Sequence, residues 1–245
     1  ATRGVQLHEQ PGEHLPWGEQ VRLVMRNRQY LCMVGVYLVQ LLGLGTMTAA
    51  TPYFAVHVLG QDEKMIGNIF LVFMGVGVLS MPFWSAMARR YGKQRALVGA
   101  VLLYALASFG LLAVQPAGNM LWLYGPLALM GIAFGAQQML PFAMLTDVIN
   151  VDAATTGVRR EGLLSGLWVA SEKAGLALGP LVAGLTLDLT GFVESEGGHV
   201  AQSASALAGI RFAYIVLPAI GMLLSLLLLR HYRSEGEQAA GASGA

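Results

Sequence analysis

The sequence predicts an all-α integral membrane protein with six transmembrane helices, on three observations. Of 245 residues, 55% are hydrophobic and 12% charged, with a mean hydropathy of +0.58, whereas a soluble domain carries roughly 25% charged residues. Residues 29–51, 65–88 and 96–146 contain no Asp, Glu, Lys or Arg, and a helix needs about 20 apolar residues to cross the hydrocarbon core. Alternation of apolar and polar residues, the mark of a membrane β-barrel, is absent. The same composition excludes other classes. Fifteen Lys/Arg against fourteen Asp/Glu leave no concentrated basic surface for nucleic acid. The chain is too apolar to be disordered, and its one cysteine, Cys32, cannot staple a secreted domain.

The first four spans follow from the charge gaps, and the last two from the apolar runs 162–187 and 212–229. Span A covers 29–51 and span B 65–87. The long gap is broken at Gln115-Pro116-Ala117-Gly118-Asn119, where Pro and Gly punctuate a turn, giving C at 96–114 and D at 121–145. E covers 162–188 and F 210–230. Basic residues set the orientation. Arg22, Arg26, Arg28, Arg89, Arg90, Lys93, Arg95, Arg159, Arg160, Arg230 and Arg233 fall on one side, and only Lys64 and Arg211 on the other. Both termini are therefore expected in the cytoplasm, with a multi-pass chain in the plasma (inner) membrane. Residues 1–20 read as a flexible linker, 21–233 as the bundle with a short interfacial helix at 21–30, and 234–245 as a disordered cytoplasmic tail. With no starting Met, the chain is expected to lie within a longer protein.

A charge inside a bilayer costs about 2.5–3.5 kcal/mol on insertion scales and marks function by default. Only span E carries charges near its middle, Glu172 and Lys173. Neighbours on a helix point about 100° apart, so the two are expected not to pair simply with each other. At least one is instead expected to meet a wet cavity or a partner on another helix, the alternative being a structural interhelical ion pair. Trp168 and Ser165 share the face of Glu172. Such an aromatic can stack on a sugar ring or simply pack. Val169, Ala177 and Gly166 surround Lys173 with mostly small side chains. Span A offers Tyr37 and Gln40, and span D Gln137 and Gln138, so A, D and E are polar enough to line a cavity. B is intermediate, and C and F look peripheral. Interhelical hydrogen bonding is the alternative for each Gln. Glycines four apart (Gly131/Gly135, Gly162/Gly166, Gly175/Gly179) favour close helix packing, and Gly175 to Pro180 is expected to loosen span E. No HExxH, Walker A or GxSxG motif occurs, and the five His fall in expected loops or tails. The chain is therefore not expected to be an enzyme or to hold a metal or cofactor.

The stretch from Leu140 through Asp147, Asn150, Asp152, Gly157, Arg159, Arg160 and Glu161 to Gly162 runs into Ser171-Glu172-Lys173-Ala174-Gly175. It resembles the signature of the glycoside-pentoside-hexuronide:cation symporter family, the melibiose-permease-like members of the major facilitator superfamily. Ala88-Arg89-Arg90-Tyr91-Gly92-Lys93-Gln94-Arg95 is similar to the basic loop after the second helix of each facilitator half. The resemblance covers nearly the whole chain, as the C-terminal six-helix half of a twelve-helix protein, with residues 1–20 at its central cytoplasmic loop. It implies two inverted three-helix repeats, A–C and D–F, half of a major-facilitator fold. It implies that Lys173 lies near the cation and sugar sites, that Asp147 matches the family's cytoplasmic loop acid and that Arg159 matches its loop arginine. With Arg160 and Glu161 these two are expected to form a cytoplasmic gate. Asn150 stands where some members carry a second acid, Gln138 where some carry a sugar-binding aromatic, and Glu172 where a neutral residue is frequent.

The resulting expectation is half of a secondary active transporter, coupling Na+ or H+ to a glycoside or related sugar by alternating access. Lys173, Glu172, Trp168, Gln138, Gln40 and Tyr37 are its expected coupling and substrate residues. The cation would be bound mainly by an N-terminal six-helix half. That half, the small-molecule solute and the lipid bilayer are the expected partners, with no nucleic acid. Two alternatives stand: a same-fold transporter of a lysolipid or other amphiphile, and a non-transporting membrane scaffold.

Overall fold

The computed structural model describes residues 18, 22, 24–115, 118–157, 160–194 and 201–232. Most of the expected linker, the tail 234–245 and part of the interfacial helix at 21–30 lie outside that set. Met25 and Arg26 form a turn, and Asn27 then opens α1 (Arg28–Tyr53) by accepting from the Tyr30 N–H at 3.0 Å. A side-chain acceptor at this position satisfies one of the free N–H groups of the first turn. The helix widens into a π-helical stretch, Phe54–Val58, just past Pro52. His57, expected in a loop, thus belongs to the end of this helix and meets the Phe192 ring edge-on at 5.3 Å. Then come α2 (Lys64–Tyr91) and α3 (Lys93–Gly110), separated by Gly92 alone, and a 3-10 turn, Leu111–Ala113. After α4 (Leu121–Thr156) and α5 (Glu161–Leu189), the last span is built from α6 (Ala204–Arg211), a π-helical stretch Phe212–Val216 and α7 (Leu217–Leu229).

Five of these segments are long and apolar enough to cross a membrane. The other, α5, has the length, at 29 residues or roughly 43 Å, but carries Glu161, Glu172, Lys173 and Asp188. The chain is a multi-pass membrane protein.

The packing has an internal symmetry. The helix α1 packs most extensively on α5 and α7, α4 on α2 and α3, and α3 touches α7. Exchanging the first, second and third spans with the fourth, fifth and sixth leaves this pattern unchanged. Because each repeat holds three spans, the second enters from the opposite face, which makes the two repeats inverted. The seams depend on close backbone approach. A Cβ on Gly179 would collide with the backbone of Gly45 across α1–α5. In the symmetry-related α2–α4 seam, a Cβ on Gly135 would collide with Gly77. The run Gly175–Pro180 therefore serves contact with α1, and α5 passes through it unbroken, contrary to the expected loosening.

Within this chain α2 and α5 are the most exposed spans, and α3 and α7 are half buried. Leu71, Leu79 and Phe83 of α2 and Leu181, Leu185 and Leu189 of α5 stand open. One expected boundary is corrected. The fourth span continues eleven residues past its expected end, because Leu145, Val148, Ile149 and Asp152 keep one face buried at helical spacing.

Candidate functional site

The face of α5 left uncovered by the chain's other helices carries the mid-span charges. Contrary to expectation, Lys173 and Glu172 pair with each other, with Nζ donating to Oε1 at 3.1 Å. The long lysine stem bridges the angular gap between neighbouring positions. The pair is not buried: the Lys173 side chain is 71% exposed and that of Glu172 26%. Gly166, Val169, Ala170 and Ala177 around Lys173 are exposed as well, so the small-residue face expected there is open.

One turn toward the start of α5, Trp168 is fully buried. Tyr37 of α1 stacks on its indole at 4.4 Å and 10°, and Phe142 of α4 meets it edge-on at 6.4 Å. The Tyr37 phenol adjoins the Glu172 carboxylate. Three helices thus converge on one aromatic and acidic group. The Trp168 Nε1 has no hydrogen-bond partner, an exception among buried polar groups that needs an explanation. Four of the expected residues, Tyr37, Trp168, Glu172 and Lys173, are brought together. Gln138 is exposed on α4 one turn before Phe142, on the same side of that helix. Gln40 is not part of the group. It is buried, donates to Ser225 Oγ of α7 at 3.1 Å, and is used in packing. Phe142 was missed by the sequence reading. Its signal was available, because it lies four residues beyond Gln138.

The second charged region sits at one end of the bundle, where α1, α3 and α5 begin and α2, α4 and α7 end. Asp147, read as a loop acid, is on α4. It is held by Lys93 at the start of α3, whose Nζ donates to both carboxylate oxygens at 2.5 and 2.6 Å and to the Ala143 carbonyl at 3.3 Å. Arg160 does not join it. Its Nη1 lies 3.9 Å from Asp152 Oδ2, and Asn27 Nδ2 donates to Asp152 Oδ1 at 3.1 Å. Asp152 and Arg160 are both buried. Among the described residues, Asp147 and Arg160, expected in one network with Arg159, stand in two separate pairs. The cause is the helical extension of α4, which places Asp147 and Asp152 five residues apart on different sides of the helix. Glu161 opens α5, where an acid complements the helix dipole. Arg159 lies outside the described residues. Tyr30 ties the region together by donating to the Leu164 carbonyl at 2.7 Å.

Inverted helix triplets with a charged, open mid-membrane face define a polytopic protein of the facilitator type. The chain belongs to the family described as MFS/sugar transport protein, which it matches over residues 5–235. It is 33% identical to an uncharacterized symporter of Synechocystis over 222 residues, covering 90% of the chain and 41% of that protein. It is 25% identical to an isoprimeverose transporter of Lactiplantibacillus pentosus, covering 91% of the chain and 46% of the relative. It is also 25% identical to sodium-dependent lysophosphatidylcholine symporter 1 of Xenopus tropicalis, covering 92% and 42%. The chain therefore spans less than half the length of these relatives, and they are transporters, not enzymes.

Proposed function

We propose that the chain forms the C-terminal half of a secondary transporter that couples Na+ or H+ to the uptake of a glycoside or related sugar. The observation that carries this reading is Lys173. A lysine in the middle of a 29-residue membrane helix, with its side chain 71% exposed, needs water or a second protein surface at that depth. A cavity between two six-helix halves supplies both. Phe142 and Gln138 then border the solute with Tyr37 and Trp168 packed behind them, and Glu172 and Lys173 respond to the cation, whose main ligands lie on the N-terminal half. The two ion pairs at the other region, together with Glu161, lie at the cytoplasmic end and bias one access state. The termini are cytoplasmic and the membrane is the plasma membrane.

A second reading has one supporting observation, the lysophosphatidylcholine symporter among the relatives. The test is uptake by the full-length protein in vesicles carrying an imposed Na+ or H+ gradient, with a labelled β-glycoside and with labelled lysophosphatidylcholine. Gradient-dependent glycoside uptake supports the first reading. Uptake of the lysolipid alone supports the second, and uptake of neither overturns both.

A further inference from the structure

Two exposed stripes run side by side on the outer surface of the bundle, away from Lys173. On α3, Arg95, Leu102 and Leu106 are exposed at spacings of seven and four, which places them on one helical face. On α7, Leu223, Leu227 and Arg230 are exposed at spacings of four and three. Each stripe is therefore apolar along its length and ends in an arginine, at the same end of the bundle. The two helices are in contact, and their ends are tied. Gln94 Nε2 donates to the Leu229 and Tyr232 carbonyls at 3.1 and 3.3 Å. That bond occupies carbonyls which would otherwise repel an anion at the end of α7. Arg28 joins the corner from α1: Cys32, one turn further along, donates to the Leu228 carbonyl at 2.9 Å.

Four other cations at this end are engaged within the chain. Arg89 donates to Ser85 Oγ and Arg90 lies over the Tyr91 ring. Lys93 and Arg160 are used in ion pairs with Asp147 and Asp152. Among the described residues, Arg28, Arg95 and Arg230 form no ion pair. Three uncommitted guanidinium groups above two apolar stripes complement a ligand with an anionic head and hydrocarbon tails. The distance from Arg95 to Leu106 is roughly 16 Å at 1.5 Å per residue, close to the half-thickness of about 15 Å of a hydrocarbon core.

We propose that the α3–α7 seam binds one anionic phospholipid of the surrounding bilayer, with its phosphate between Arg95 and Arg230, Arg28 beside it, and its acyl chains along the leucine stripes. The guanidinium fork suits phosphate because it can donate two parallel hydrogen bonds. The site is independent of the solute and of the mid-span charges.

The test uses the full-length protein extracted from bilayers of mixed phosphatidylglycerol and phosphatidylcholine, with native mass spectrometry counting retained lipids. Phosphatidylglycerol is expected to be retained preferentially. Each neutralised arginine in R28Q, R95Q and R230Q lowers that preference about fivefold, the equivalent of about 1 kcal/mol per basic residue near the membrane surface. Neutralising Lys64 and Arg211 at the opposite end leaves it unchanged. An unchanged preference in the R95Q/R230Q variant overturns the site. Should that variant fail to insert, R95K/R230K and a photoreactive phosphatidylglycerol decide instead. The expected result is labelling of residues 93–110 and 217–232 in the lysine variant. Labelling confined to α2 and α5, or a cross-link between two copies through this seam in place of lipid, overturns it.

Discussion

Cations in two regions of the chain stand in opposite situations. At the bundle end, Lys93 makes three hydrogen bonds within the chain, two of them to Asp147. Arg160 is buried beside Asp152, with side-chain exposures of 6% and 9%. In mid-span, where a charge costs most, Lys173 has only its sequence neighbour for a partner among the described residues and is 71% exposed. A protein that had to satisfy its charges alone would show the reverse. The contrast teaches that the end charges serve the fold of this chain, and that the mid-span charges are held available for something outside it. The aromatic group beside them repeats the pattern. Trp168 is packed by Tyr37 and Phe142, yet its indole N–H is left without a partner.

The largest expected effect lies at the buried end pair. Asp152→Ala leaves the Arg160 guanidinium buried without an acid and removes the Asn27 tie to the start of α1. Breaking a buried pair from one side costs about 3–5 kcal/mol, and the lower figure applies at 3.9 Å. Thermal unfolding in detergent should show a marked fall in midpoint, and membrane abundance should fall with it. An unaltered midpoint would remove this region's role in folding and collapse the comparison from one side.

Lys173→Ala tests the other side. Coupling energies between sites run about 1–3 kcal/mol, or 5- to 150-fold, so cation-stimulated uptake by the full-length protein should drop by that factor with abundance near normal. Lys173→Arg should restore it only in part, because the guanidinium is larger and planar. A loss of abundance matching that of Asp152→Ala would mean that Lys173 is structural and the contrast false.

Much of the fold was legible because the bilayer imposes long apolar runs: four spans were found from charge-free stretches and the last two from the apolar runs 162–187 and 212–229. The extension of α4 was not found, because residues 146–156 contain two acids and read as polar. The buried series Leu145, Val148, Ile149, Asp152 is nevertheless a helical one, and following it past the last apolar run would have placed both acids on a helix. Lys93 and Asp147 were both singled out, one in the basic loop and one in the longer motif. Their pairing depends on how α3 meets α4, which local spacing does not encode. The Lys173–Glu172 pair was missed because the argument used Cα directions alone, while four methylenes let an ammonium reach a neighbour's carboxylate. For Gln40, the interhelical hydrogen bond weighed against a cavity role is the one formed, to Ser225. Facing α5 and facing α7 differ by a small rotation of α1, and only the packed helix fixes it.

The smallest expected effect concerns Lys93 and Asp147, and it sharpens the comparison by separating exposure from position. The pair sits at the same end as Asp152 and Arg160 but is wetter, with the Lys93 side chain 38% exposed and that of Asp147 13%. Ion pairs open to solvent are worth about 0–1 kcal/mol and are screened by salt over roughly 8–10 Å at ordinary ionic strength. Lys93→Ala should therefore lower the unfolding midpoint far less than Asp152→Ala does, and by less again at 1 M salt. Any effect on uptake should exceed the effect on stability, because a pair joining the starts and ends of α3 and α4 bears on how those helices move relative to each other. The exchanged variant K93D/D147K restores opposite charge at the same positions. It should recover most of the lost rate, short of full recovery because the Ala143 carbonyl then faces a carboxylate and loses its donor. Uptake measured for the alanine and exchanged variants at low and high salt decides the matter. Equal rates in all of them would show that this pair only anchors the turn between α2 and α3, and that the buried pair alone distinguishes the two regions.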